Sequence, residues 1–117
     1  MDKKTFQQGD ILEVDLVGTS GARDRFQCMV ISPILFNDMG MVIVALVTRE
    51  VQMQRHAGFA VNLEPYGFKG AVLTNNLRTL DVAGANAALL KERHPEATEM
   101  VVARVQAIFA DQDSGVA

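Results

Sequence analysis

Met41-Val42-Ile43-Val44-Ala45-Leu46-Val47-Thr48 is the stretch that decides the fold. It is apolar up to its closing threonine and dominated by β-branched residues, the side chains that suit a pleated surface. It falls far short of the ~20 residues a membrane helix needs. The turn-forming run Phe36-Asn37-Asp38-Met39-Gly40 precedes it, and the polar segment Arg49-Glu50-Val51-Gln52-Met53-Gln54-Arg55-His56 follows. A continuous apolar strand between such boundaries is buried on both faces or lies inside a small barrel.

Upstream, Gly9-Asp10 signals a turn. Ile11 to Val17 then interleaves Glu13 and Asp15 with Leu12, Val14 and Leu16, which is strand alternation. Gly18 to Arg25 is a polar loop, and Cys28-Met29-Val30-Ile31-Ser32 is a second strand stopped by Pro33. Downstream, Phe59, Val61 and Leu63 alternate with Ala60 and Asn62 in a short strand, and Glu64 to Gly70 is a turn region. Ala71-Val72-Leu73-Thr74 begins another strand, with Arg78-Thr79-Leu80-Asp81 leading out of the sheet. Asn86 to Arg93 suits a short helix. His94-Pro95-Glu96-Ala97 opens a second helix, with proline in the first turn and Glu96 and Glu99 near its positive end. Thr98, Val101, Val102, Val105, Ile108 and Phe109 form one apolar stripe at helical spacing. Strands first and an amphipathic helix last give a mainly β fold: a small curled antiparallel sheet or barrel closed by a C-terminal helix. Residues 1–117 make one domain with a core of about residues 9–110, and the last few residues, 112–117, fray.

The chain has 117 residues, 49% apolar and 21% charged, enough to bury a core without staples. Its formal charge of -3 excludes nucleic-acid binding through bulk charge and leaves only a local basic groove. One cysteine, Cys28, excludes an internal disulfide and a multi-cysteine metal site. Two separated histidines offer too few ligands, so no metal or cofactor is assigned. No apolar leader follows Met1, so a cytoplasmic protein away from membranes is expected.

From Arg49 to Arg78 the basic residues Arg49, Arg55, Lys69 and Arg78 outweigh Glu50 and Glu64. Such a local balance suits a groove for a single-stranded backbone; solvated loop arginines are the plainer reading. His56 is the better general base of the two histidines, because imidazole titrates near neutrality. A surface loop histidine is the plainer reading of it. His94, just before Pro95, suits a helix cap, and Cys28 suits a buried strand position.

Several blocks, in order, resemble the MazF/PemK family of type II toxin–antitoxin toxins, toward its PemK/Kid and ChpB members. Gly9-Asp10-Ile11 is similar to the family's first strand, Cys28 to Pro33 to its second, and Phe36-Asn37 to the following turn. Val44-Ala45-Leu46-Val47-Thr48 resembles the central strand, and Arg55-His56-Ala57-Gly58-Phe59-Ala60-Val61 the family's Arg-Xaa-Ala-Gly-Phe segment. Gly70-Ala71-Val72-Leu73 and Arg78-Thr79-Leu80-Asp81 resemble the late strand and its exit. The resemblance implies an SH3-like or CcdB-like barrel with a C-terminal helix, assembled as a homodimer. It implies cleavage of single-stranded RNA without metal, by attack of a ribose 2'-OH on the adjacent phosphate, and an antitoxin protein that fills the RNA groove.

The chain departs from that pattern where proton transfer is needed. PemK-like members carry a histidine after a glycine of the first loop, where this chain has Ala22. Phe26-Gln27 stands in place of an Arg-Pro pair, with Arg25 one residue out of register. Leu73 and Asn75 stand at the positions of an arginine and an aspartate. Arg25, His56 and Asn75 are therefore the candidate catalytic residues, and Arg23, Thr48, Arg49, Arg55 and Arg78 the candidate RNA or antitoxin groove. Two readings follow: a divergent ribonuclease using substitute residues, or a degenerate homologue that binds antitoxin, RNA or protein without cleaving.

Overall fold

A computed structural model describes residues 5–17, 21–50 and 58–110. Strands β1 (Ile11–Val17), β2 (Arg23–Val30), β3 (Met41–Thr48), β4 (Ala60–Asn62), β5 (Ala71–Asp81) and β6 (Ala88–Lys91) form one six-stranded sheet in the order β4-β5-β3-β2-β1-β6. Every pairing is antiparallel. A short helix α1 (Ile34–Asn37) joins β2 to β3, and helix α2 (Pro95–Phe109) closes the fold. The mainly β architecture with a C-terminal helix agrees with the reading of the sequence.

The run Met41–Thr48 is β3, inside the sheet: Val42 and Val44 are buried on one face and Ala45 on the other, while Met41 at its start is exposed. Ile11, Met29, Ala45 and Val72 meet Ala97, Val101 and Val105 of α2 in a first core. Leu12, Val14, Cys28, Val30, Val42 and Val44 meet Leu80 and Ala85 in a second core on the other face. Each fully buried aliphatic side chain stabilises such a core by roughly 1.5–3 kcal/mol.

The two ends of the chain are tied together at Gly9-Asp10. Asp10 is buried, and its carboxylate accepts from the Gln7 amide at 2.8 Å and the Arg93 amide at 3.0 Å. Gly9 has φ +99°, and a Cβ there would lie 2.0 Å from Thr98 Oγ1 of α2, so only glycine fits. His94 caps α2, its Nδ1 accepting from the Ala97 amide at 3.4 Å.

Three expectations need correction. Asn86 to Arg93 is not a helix: Asn86 sits in a turn at φ 50°, and Ala88–Lys91 is β6. Pairing of Leu89 with Leu12 and of Ala88 with Glu13 satisfies backbone groups along β1 and seats Leu89 against the second core, which overrides a modest helical propensity. Arg78-Thr79-Leu80-Asp81 does not lead out of the sheet: it is the last part of β5 and pairs with Met41 to Val44 of β3. The α2 stripe also stops early. Thr98, Val101 and Val105 are buried, whereas Ile108 is 39% and Phe109 72% exposed, because the helix outruns the sheet beneath it. Among the described residues no helix is long and apolar enough to cross a membrane.

Candidate functional site

The most irregular part of the sheet lies where β5 changes partners. Val72 pairs with Val47 and Leu77 with Ala45, so Leu73 to Asn76 stand opposite Leu46 alone. Extra residues on one strand form a bulge, which bends the strand and re-aims its side chains. Thr74 is fully buried inside it, and both its amide and its hydroxyl donate to the Phe59 carbonyl, at 2.8 and 2.6 Å. Leu73 is buried opposite Ala60 of β4, and Asn75 is exposed. A carboxamide at Asn75 donates and accepts hydrogen bonds but moves no proton.

Thr48 ends β3 opposite Ala71, and its hydroxyl accepts from the Glu50 amide at 3.0 Å. Gly70 makes this corner possible: at φ +132° a Cβ would lie 3.0 Å from Val47 Cγ1 and 3.1 Å from the Thr48 carbonyl. Arg49 follows, exposed. Arg78 is an exposed residue of β5 opposite Val44, on the face of its near neighbour Leu80. Arg23 starts β2, exposed, opposite Val17. Arg55 and His56 lie outside the described residues.

Arg25 is the most strongly engaged candidate among the described residues. Its Nη1 donates to Asp15 Oδ1 at 2.9 Å and to the Asn86 carbonyl at 2.9 Å. Its Nη2 donates to Glu13 Oε1 at 3.3 Å and lies 3.4 Å from the Glu13 carbonyl. The register explains the first contact, since Asp15 lies directly opposite Arg25 and Glu13 opposite Gln27. The hydrogen bond from Arg25 holds the Asp15 carboxyl below its ordinary value, against a smaller desolvation effect.

These groups do not form one cluster. Strand alternation puts Arg25 on the face of Met29, where α2 packs, and Arg78 on the opposite face with Leu80. Arg78 shares a row with Val44 and Val30, and Arg25 is five residues further along β2, about 17 Å at ~3.4 Å per residue. Thr48 shares the face of Arg78, four residues along β3 from Val44.

The partners of Arg25 were not legible in the sequence. Glu13 and Asp15 are visible there as the polar residues of a strand, but which basic residue faces them depends on the length and path of the loop before β2. Among the described residues no group of three or more histidine, cysteine or carboxylate side chains is placed to hold a metal. Cys28 is fully buried, and that burial pushes its thiol up to about 12, far from a reactive thiolate at neutral pH.

The geometry has close counterparts. The chain is 32% identical over 111 residues to the endoribonuclease toxin ChpB of Escherichia coli K12, covering 91% of this chain and 96% of that protein. Crystal structures from Deinococcus radiodurans share the fold. A MazE-MazF complex matches with a TM-score of 0.77 at 22% identity, over 92% of this chain and 97% of that one. MazF alone matches with 0.75 at 22% identity, over 92% and 98%. Residues 7–111 match the family described as PemK-like, MazF-like toxin of type II toxin-antitoxin system, and the chain belongs to that family.

Proposed function

We propose that this chain is the toxin of a type II toxin–antitoxin pair: an endoribonuclease that cleaves single-stranded RNA without a metal, works as a cytoplasmic homodimer and is held by an antitoxin protein. The observation that carries this reading is the 32% identity to the ChpB endoribonuclease toxin across nearly all of both chains. The reaction is attack of a ribose 2'-OH on the adjacent phosphate. It needs a base for that hydroxyl, an acid for the leaving oxygen and positive charge on the phosphorane. His56 is the base in this reading, Asn75 a hydrogen-bond partner of the substrate, and Thr48, Arg49, Arg55 and Arg78 line the strand's path.

A second reading has specific support. Ala22, Leu73 and Asn75 cannot transfer a proton, and Arg25 is tied to two carboxylates. Each lost proton-transfer role costs about 10²–10⁴ in rate. A chain so altered binds RNA or antitoxin and cleaves slowly or not at all.

One assay separates the two. Purified protein is incubated with mixed-sequence single-stranded RNA in EDTA, and new ends are sought. The endonuclease reading expects fragments ending in cyclic phosphate, and a loss of about 10²–10⁴-fold in the His56→Ala variant. RNA that is bound yet uncut at large protein excess supports the second reading and overturns the first.

A further inference from the structure

We propose that Glu13 and Asp15 act as a built-in phosphate mimic that withholds Arg25 from RNA, so that the chain's affinity for a single-stranded backbone is set by this internal contact. The inference rests on the RNA-binding reading above and concerns a regulatory contact within it.

The donor count carries the argument. A guanidinium has five N–H donors and recognises a phosphate by presenting two of them in parallel. In Arg25 both terminal nitrogens are committed: Nη1 to Asp15 Oδ1 and the Asn86 carbonyl, both at 2.9 Å, and Nη2 to Glu13 Oε1 at 3.3 Å with the Glu13 carbonyl at 3.4 Å. Only Nε is left, and one donor cannot make the paired contact. The carboxylate oxygens stand where phosphate oxygens would bind.

Burial is not what hides the arginine. Its side chain is 35% exposed, and those of Glu13 and Asp15 are 39% and 20% exposed. A polyanion that reaches this surface meets the Glu13 and Asp15 carboxylates already seated on Arg25, with Arg23 near enough to act on the Asp15 carboxyl. The hydrogen bond from Arg25 holds the Asp15 carboxyl below its ordinary value, which favours the charged form that makes the contact. Neutral amides of the same shape would keep the strand pairing and remove the two charged contacts, releasing one N–H on each terminal nitrogen while the Asn86 and Glu13 carbonyls keep the others.

The test is binding of a fluorescent mixed-sequence single-stranded RNA to the full chain at low salt, with thermal unfolding as the folding check. The double variant Glu13→Gln/Asp15→Asn is expected to bind about tenfold tighter than the parent, the worth of one charge-assisted contact. Its plot of log affinity against log salt should steepen by about 0.7, one added phosphate contact on a single strand. Adding Arg25→Gln should abolish the gain. Glu96→Gln/Glu99→Gln on α2 makes the same change in net charge and should leave affinity within about twofold, because Arg25 is paired with Glu13 and Asp15 and with neither of these. An unchanged affinity in the double variant overturns the proposal, as does a gain that survives Arg25→Gln or is matched by the α2 pair. If the double variant does not fold, Glu13→Gln alone breaks the longer, more exposed contact. It should give a smaller gain that Arg25→Gln removes, and no gain in it overturns the proposal. Failure of every protein to bind RNA, parent included, overturns the RNA reading itself; parental binding that the variants leave unchanged overturns only the mask.

Discussion

At Gly9 a hydrogen in place of a methyl group decides whether α2 can dock. A Cβ there would overlap Thr98 Oγ1, and the backbone at φ +99° disfavours any other residue. Gly9→Ala is therefore expected to cost about 2–4 kcal/mol, combining backbone strain and overpacking, read from the midpoint of denaturant unfolding. Asp15 shows the residue scale in its electrostatic form. Its folded carboxyl titrates below the ordinary 3.8, so the unfolded chain binds that proton first as pH falls. The contribution of Asp15 to stability is thus complete above about pH 4 and is lost as pH drops through the lowered folded value. The parent should unfold at a higher temperature than Asp15→Asn at neutral pH, and the gap should close in acid. A gap that stayed constant to pH 2 would show that the pair with Arg25 contributes nothing through charge. Gly9 stood out in the sequence as a turn residue, but its contact with a residue so distant in the chain did not.

Helix α2 shows how an element takes its role from what lies beneath it. Its apolar stripe was legible from spacing, and Val101 and Val105 do pack on the sheet, but Ile108 and Phe109 continue the pattern into solvent. Val101→Ala should therefore cost about 2 kcal/mol, whereas Phe109→Ala should stay within about 0.5 kcal/mol despite removing the larger side chain. Equal effects in thermal unfolding would contradict the packing. The β5 bulge is the opposite case, an element whose form no local pattern announced. Val72 and Leu77 both belong to ladders with β3, whereas the sequence shows only a strand beginning at Ala71-Val72-Leu73-Thr74 and no break in its pairing. Thr74 holds the excursion in place by two hydrogen bonds to Phe59, a partner fixed by tertiary approach. The β6 segment likewise took its form from the free edge of β1.

For the whole molecule, β1, β2 and β3 serve as the floor of one core and the ceiling of the other. The two cores should then unfold together, since neither keeps its strands without the other. Met29→Ala on the first face and Leu12→Ala on the second are each expected to destabilise by about 2–5 kcal/mol while leaving one transition with an unchanged denaturant slope. A second transition in either variant would separate the cores. The alternation of Ile11–Val17, the apolar run Met41–Thr48 and the stripe of α2 determined by themselves that the chain is mainly β with a helix at its end, because hydrophobic period is a local property of the residues. Only the tertiary structure decided which polar groups meet. Strand register and loop path place Asp15 opposite Arg25 and set Arg78 on the other face, and both depend on contacts between segments far apart in the chain. Candidate site residues could therefore be named from the sequence, but whether a cation there stands free or already paired is a property of the folded sheet.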